Sequence, residues 1–277
     1  MRTARIRAGA KINWALSIKG IRPDRLHELD MLVQSISLYD DIELRASDSV
    51  SVECEGGPSG KRNIAYKAAA AYQRESGKGA AIYIKKHIPM QAGLGGGSSD
   101  AAGVLLGMNA IYGKFTTQRL LELAAETGAD VPFLMHGGLA RVRGAGEVIE
   151  PLKHRDYHLV IAKPNRGIST AEAYQLYDEG GGEQPDMDKV TEAVKSGRAG
   201  GLKNALHRSA ARLCPDIDRL IACLMGEGAS EAGMSGSGSA VFGVFASERA
   251  AKAACKNIDV WSAAVHTTKK AVDIIIE

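Results

Sequence analysis

No apolar stretch in the chain approaches the roughly 18 residues needed to cross a bilayer. The basic N-terminus, MRTARIRAGAKIN, is not followed by an apolar signal core, so a cytoplasmic protein is the expectation. Cysteine is sparse: Cys54, Cys214, Cys223 and Cys255 form no CxxC or Cys/His zinc pattern, which argues against a metal or disulfide framework. Aromatic residues are only 5%, too few for a base-stacking platform. Charge is nearly balanced, with 35 basic and 32 acidic side chains and a net charge of +3, so nothing in it selects nucleic acid or membrane as a partner.

What remains is an ordinary globular composition, 45% hydrophobic and 24% charged over 277 residues. That length suffices for one large domain or two modest ones. Alternating or β-rich runs predict strands at 5–8, 12–18, 41–46, 50–54 and 80–88. An alanine-rich stretch predicts a helix over 63–76. Further helices are expected after the glycine loop described below and over 116–127, the latter capped by Gly128. Pro132 is expected to hold Val131 out of the helical region, leaving Asp130 in a loop. Beyond Pro151 the pattern restarts. It gives strands at 158–162, 241–246 and 271–276, and helices at 170–177, 188–196, 204–226 (interrupted near Pro215) and 248–256. The mixture is an α+β fold with hairpins, divided near residue 153 into segments 1–153 and 154–277.

Glycine is abundant and clustered. The most informative cluster is Pro89-Met90-Gln91-Ala92-Gly93-Leu94-Gly95-Gly96-Gly97-Ser98-Ser99, with a strand leading in and a helix leading out. Its glycines remove the Cβ atoms that would keep an anion from backbone N–H groups, and the helix start adds unpaired donors and a positive dipole end. Ser98 and Ser99 are candidate N-caps. Their hydroxyls can donate to phosphate or ligate a bridging Mg2+, with Ser99 the candidate metal ligand. The pattern is neither GxxxxGKS/T nor GxGxxG, because Ser98 holds the last position of the latter, so the P-loop, Rossmann and protein-kinase loops do not fit.

The segment resembles the phosphate-binding signature of the GHMP kinases (galactokinase, homoserine, mevalonate and phosphomevalonate kinases), Pro-x-x-x-Gly-Leu-Gly-Ser-Ser. Its triple-glycine form, GLGGGSSDAA, is similar to the branch that acts on 4-diphosphocytidyl-2-C-methylerythritol in the non-mevalonate isoprenoid pathway. AKIN at Ala10–Asn13, GADVPF at Gly128–Phe133 and MSGSGSAVF at Met234–Phe242 resemble other signatures of that branch. The resemblance implies a two-domain fold with its active site in the interdomain cleft and ATP as the donor, and the phosphate chemistry implies Mg2+. The implied partner is a small cytidine diphosphate-linked alcohol, taken by a monomer or weak homodimer.

The chain's 32 carboxylates do not single out a base by chemistry alone. The resemblance identifies Asp130 as the catalytic aspartate and Lys11 as its partner. It implies substrate contacts from Asn13, His27 and Tyr174. The aligned stretch departs from the branch's Asp-Gly-Tyr-His: Arg25 stands for the glycine and Leu26 for the tyrosine. A leucine offers no π face, so a different small alcohol, or a silent sensor of the same fold, stay open beside the diphosphocytidyl substrate.

Overall fold

In the computed structural model, which describes residues 2–277, the chain begins with two very long antiparallel strands. These are β1 (Thr3–Ile21) and β2 (His27–Ser47). They are followed by β3 (Ser51–Glu55), a 3-10 turn (Gly60–Arg62), α1 (Ile64–Ser76), β4 (Gly79–Lys85), α2 (Gly96–Tyr112), α3 (Thr117–Thr127), α4 (Val131–His136), β5 (Leu139–Gly144) and β6 (Val148–Leu152). The rest comprises β7 (His158–Lys163), α5 (Thr170–Gly180), α6 (Met187–Lys195), α7 (His207–Leu213), α8 (Asp216–Gly226), β8 (Glu231–Met234), β9 (Val241–Phe245), α9 (Glu248–Cys255), β10 (Trp261–His266) and β11 (Val272–Ile276).

Two sheets organise these elements. The first runs β11-β1-β2-β4-β3, with β5 also on β2 and β6 on β5; the second runs β10-β7-β9-β8. β2 serves two neighbours because it is long: residues 41–47 pair with β4 and residues 29–34 with β5. The chain passes from the first sheet to the second between Leu152 and His158, but β11 returns to pair with β1. Residues 272–276 therefore belong to the first sheet, and a division at 153/154 does not describe the last strand.

β1 was expected as two strands; it is one, interrupted by register shifts between Gly9 and Lys11 and between Asn13 and Ala15. Such shifts kink a strand and free backbone groups for other partners. The first half of β2 escapes an alternation test because residues 30–36 are buried without a break. Helix α2 lies very close to β1: a Cβ on Gly107 would stand 2.4 Å from Ile6 Cδ1. A second apolar cluster joins the sheets around Trp14, which packs on Tyr157 and Phe242 at ring-centroid distances of 4.8 and 5.5 Å and donates to Gln34 Oε1 at 2.8 Å. Among the described residues no helix is long and apolar enough to cross a membrane.

Candidate active site

Between the two sheets lies a cleft of about 1050 Å³ that collects the sequence-derived candidates. One wall is the glycine loop, with Pro89, Met90, Gln91, Ala92, Gly93, Leu94, Gly95, Gly96, Gly97 and Ser98 all lining it. The loop's carbonyls turn into the protein. Those of Gln91, Ala92, Gly93 and Leu94 accept from Ile168 N, Ala240 N, Ser235 Oγ and Lys11 N at 3.3, 3.1, 3.0 and 2.9 Å. Among the described residues, none of the amides of residues 90–95 finds a protein acceptor. Carbonyls held behind and amides left open make an anion cradle. The helix begins one turn earlier than expected, with Gly95 as N-cap at φ +70 and Ser99 N donating to Gly95 O at 2.8 Å. The first-turn amides at Gly96, Gly97 and Ser98 have no preceding turn to bond, and all three residues line the cleft.

Ser99 is corrected by the structure. It is fully buried, does not line the cleft, and its hydroxyl donates to Gly9 O at 2.7 Å. That bond ties α2 to β1 at the strand's bulge and removes Ser99 as a metal or phosphate ligand. Gly96 also differs from expectation. A Cβ there would meet Ile88 Cγ2 at 2.9 Å behind the loop, so the glycine permits close packing and does not simply keep the cradle empty.

Lys11 and Asp130 meet on the cleft floor, Nζ to Oδ2 at 3.6 Å. Lys11 is 4% exposed, and its ammonium also donates to Asn13 Oδ1 at 2.7 Å. Asn13 is itself buried and is not part of the cleft lining. Its side-chain oxygen is taken up by Lys11. Asp130 is not a free loop residue: it is the helical-region N-cap of α4, with Pro132 in that helix's first turn. A proline costs little there, since first-turn N–H groups have no acceptor anyway, so Val131 is helical after all. Gly128 has an extended backbone rather than a left-handed cap. Asp130 makes no capping bond with its side chain, which leaves the carboxylate for the cleft.

At the far end, His27 and Tyr174 stack with ring centroids 4.5 Å apart, and His27 Nε2 lies 2.8 Å from Asp178 Oδ1. Burial, and next the nearby Asp130 charge, push the Tyr174 phenol well above its ordinary range, so it stays protonated. Arg25, at φ +68, and the half-exposed Leu26 line this end too. Residues absent from the sequence-derived set complete the cleft. Asn63, which caps α1 through Ala65 N, and Arg62 stand beside the cradle, while Thr170 and Ser237 bond each other at 3.0 Å across the opening. None of these four is singled out by the sequence, where Asn63 counts only as the first residue of the helix expected over 63–76.

Two family descriptions match: GHMP kinases N terminal domain over residues 63–138, and GHMP kinases C terminal over residues 190–260. A relative from Alkaliphilus metalliredigens, named 4-diphosphocytidyl-2-C-methyl-D-erythritol kinase, is 40% identical over 94% of each chain. The chain belongs to the GHMP kinase family. A relative of the same name from Geobacter metallireducens is 42% identical over 93% of this GHMP kinase and 95% of its own length. A crystal structure of 4-(cytidine 5'-diphospho)-2C-methyl-D-erythritol kinase superposes with a TM-score of 0.83 at 34% identity, covering 95% of this chain and 98% of that one. Homoserine kinase from Cytophaga hutchinsonii, at 19% identity and a TM-score of 0.72, shares the fold of this GHMP kinase over 99% of the chain.

Proposed function

We propose that the chain transfers a phosphoryl group from ATP to the 2-hydroxyl of 4-diphosphocytidyl-2-C-methyl-D-erythritol. The observation that carries this reading is the placement of the Lys11–Asp130 pair in the same cleft as the amide cradle and the His27–Tyr174 stack. The cradle takes the triphosphate and the stack takes the base of the acceptor, so the acceptor's alcohol falls between them. Asp130 accepts the hydroxyl's hydrogen bond. As the new O–P bond forms and the β–γ bridge of ATP breaks, the proton passes to the carboxylate and ADP leaves. Lys11, held by Asn13, steadies the charge on the transferring group.

ATP and Mg2+ are assigned on the same footing. Among the described residues no group of three or more His, Cys, Asp or Glu could hold a metal ion. Mg2+ arriving with the triphosphate would be held by phosphate oxygens and water, and of the carboxylates lining the cleft Asp130 would be the one beside the transferring group. Bound there, it would neutralise phosphate charge.

At the acceptor end, a His27 Nε2–H donating to Asp178 leaves Nδ1 free to accept from an exocyclic amine such as that of cytosine. With Leu26 in place of an aromatic residue, Tyr174 is the main π face for the base. Tyr174→Leu is expected to raise the acceptor KM about tenfold while the ATP KM moves less than twofold, following the ~1–3 kcal/mol of a base–aromatic stack. Equal shifts in both constants would place the base elsewhere.

A coupled ADP-release assay on a panel of alcohols tests the whole reading. Turnover with the cytidine-linked methylerythritol is expected, with little or none on homoserine or mevalonate. Turnover on another alcohol alone overturns the substrate, and silence on all overturns the transfer.

A further inference from the structure

Three charged side chains at the glycine loop are given no role in the transfer itself: Asp40, Lys86 and Asp100, of which Lys86 and Asp100 also border the cleft. Strand register brings the first two together, because Asp41 pairs with Lys85 between β2 and β4 and the next residues follow. The Lys86 ammonium bonds the Asp40 carboxylate and donates to Asp100 Oδ2 at 2.7 Å. All three side chains are at most 9% exposed. The other Asp40 oxygen accepts from His87 N at 2.6 Å and Ile88 N at 2.8 Å, the first amides of the segment entering the loop. Lys86 stands at the loop's entry and Asp100 at its exit, in the second turn of α2. Their bond closes residues 87–99 into a ring, and Asp40 fastens that ring to the sheet. The ammonium also lies close against the cradle, since a Cβ on Gly96 would stand 3.4 Å from Lys86 Nζ.

Burying two acids and an ammonium is costly, burial pushing the Asp100 carboxyl up to about 8, so the cluster is weak evidence for stability alone. One atom of the cluster goes without any partner: Asp100 Oδ1 is buried and unbonded among the described residues. A cluster kept purely for stability gains nothing from an unpaired carboxylate oxygen. Other charged groups on the elements around α2 are engaged elsewhere. Lys11 lies against Gly95 and bonds Asn13, Lys67 donates to Thr127 O at 2.9 Å, and His136 Nδ1 lies 2.8 Å from Gly137 O.

We propose that Asp40, Lys86 and Asp100 are positioning residues, a clasp that holds the glycine loop in the shape that receives the nucleotide phosphates. The clasp acts on ATP and not on the acceptor, and it rests on the reading that the loop binds ATP. Asp100→Asn keeps an oxygen that accepts from Lys86, whereas Asp100→Ala opens the ring. ATP affinity is read by calorimetry without acceptor, so that an error in the acceptor's identity does not reach this result. Asp100→Ala is expected to bind ATP at least tenfold more weakly than wild type, and Asp100→Asn within about threefold of it. At saturating ATP the acceptor KM of both should change less than twofold. A purely structural role would lower the fraction of protein able to bind and leave the dissociation constant of that fraction alone. Should Asp100→Ala fail to fold, Lys86→Gln takes its place with the same expected loss. The clasp is overturned by an ATP affinity in the opened variant within twofold of wild type, by equal weakening in the alanine and asparagine variants, or by an acceptor KM that rises in parallel. A wild-type protein that does not bind ATP overturns both the clasp and the nucleotide reading of the loop.

Discussion

Asp130→Asn is expected to lower kcat at least a hundredfold while ATP affinity stays within about threefold of wild type. The substitution is isosteric, and the residue's structural duties are light. Its backbone caps α4, but its side chain makes no capping bond. Its one charged partner, Lys11, keeps Asn13 at 2.7 Å when the carboxylate is gone. What the asparagine loses is an acceptor that can take a proton and a charge facing the hydroxyl, and a hundredfold corresponds to about 2.7 kcal/mol of barrier. Steady-state kinetics with calorimetric ATP binding separates the two quantities. Turnover near the wild-type rate would remove Asp130 from the reaction.

Gly93→Ala is expected to damage stability and catalysis together. Gly93 sits at φ +72, and a Cβ there would stand 2.1 Å from Ser235 O and 3.0 Å from Gly238 N. This is where the two glycine runs touch, and it is held by Ser235 Oγ donating to Gly93 O at 3.0 Å. The left-handed backbone alone costs an alanine about 1 kcal/mol. The overlap is with backbone that cannot swing aside, so the lobes must part at this seam. A total of about 3 kcal/mol or more, and a Tm fall of roughly 8 °C or more, is the expected result by thermal denaturation. Gly113→Ala supplies the control: its φ is +61, but nothing lies within 4 Å of its Cβ. If Gly93→Ala is no worse than Gly113→Ala, the close approach of the two runs has no mechanical importance.

Local signals carried much of the architecture. Asn63 and Thr116 cap the helices they precede, each accepting a backbone N–H, and the break at Pro215 separates α7 from α8. Where tertiary contacts overrode local ones, the sequence was silent or misleading. Strands β5, β6, β8 and β10 are short and partner-dependent, and the start of β2 is buried on both faces, so neither shows a clean alternation. Asp130 was readable by motif, but its helix was not, because a proline in a first turn looks the same in sequence as a proline that ends one. Ser99 looked like a ligand until its burial against Gly9 became visible. Asp40, Lys86 and Asp100 carry no signature at all: their meeting depends on the β2–β4 register and on a loop folding back over itself.

The return of β11 to β1 bears on how the protein is made. Ala4 pairs with Ile276, and Thr3 and Glu277 exchange backbone bonds at 2.9 and 3.2 Å. A ribosome that has released β1 must therefore synthesise nearly everything else before that strand gains its outer neighbour. Until then one flank of the nascent sheet stays open to foreign strands, and it falls to Arg5 and Arg7, charged residues along that flank, to discourage them.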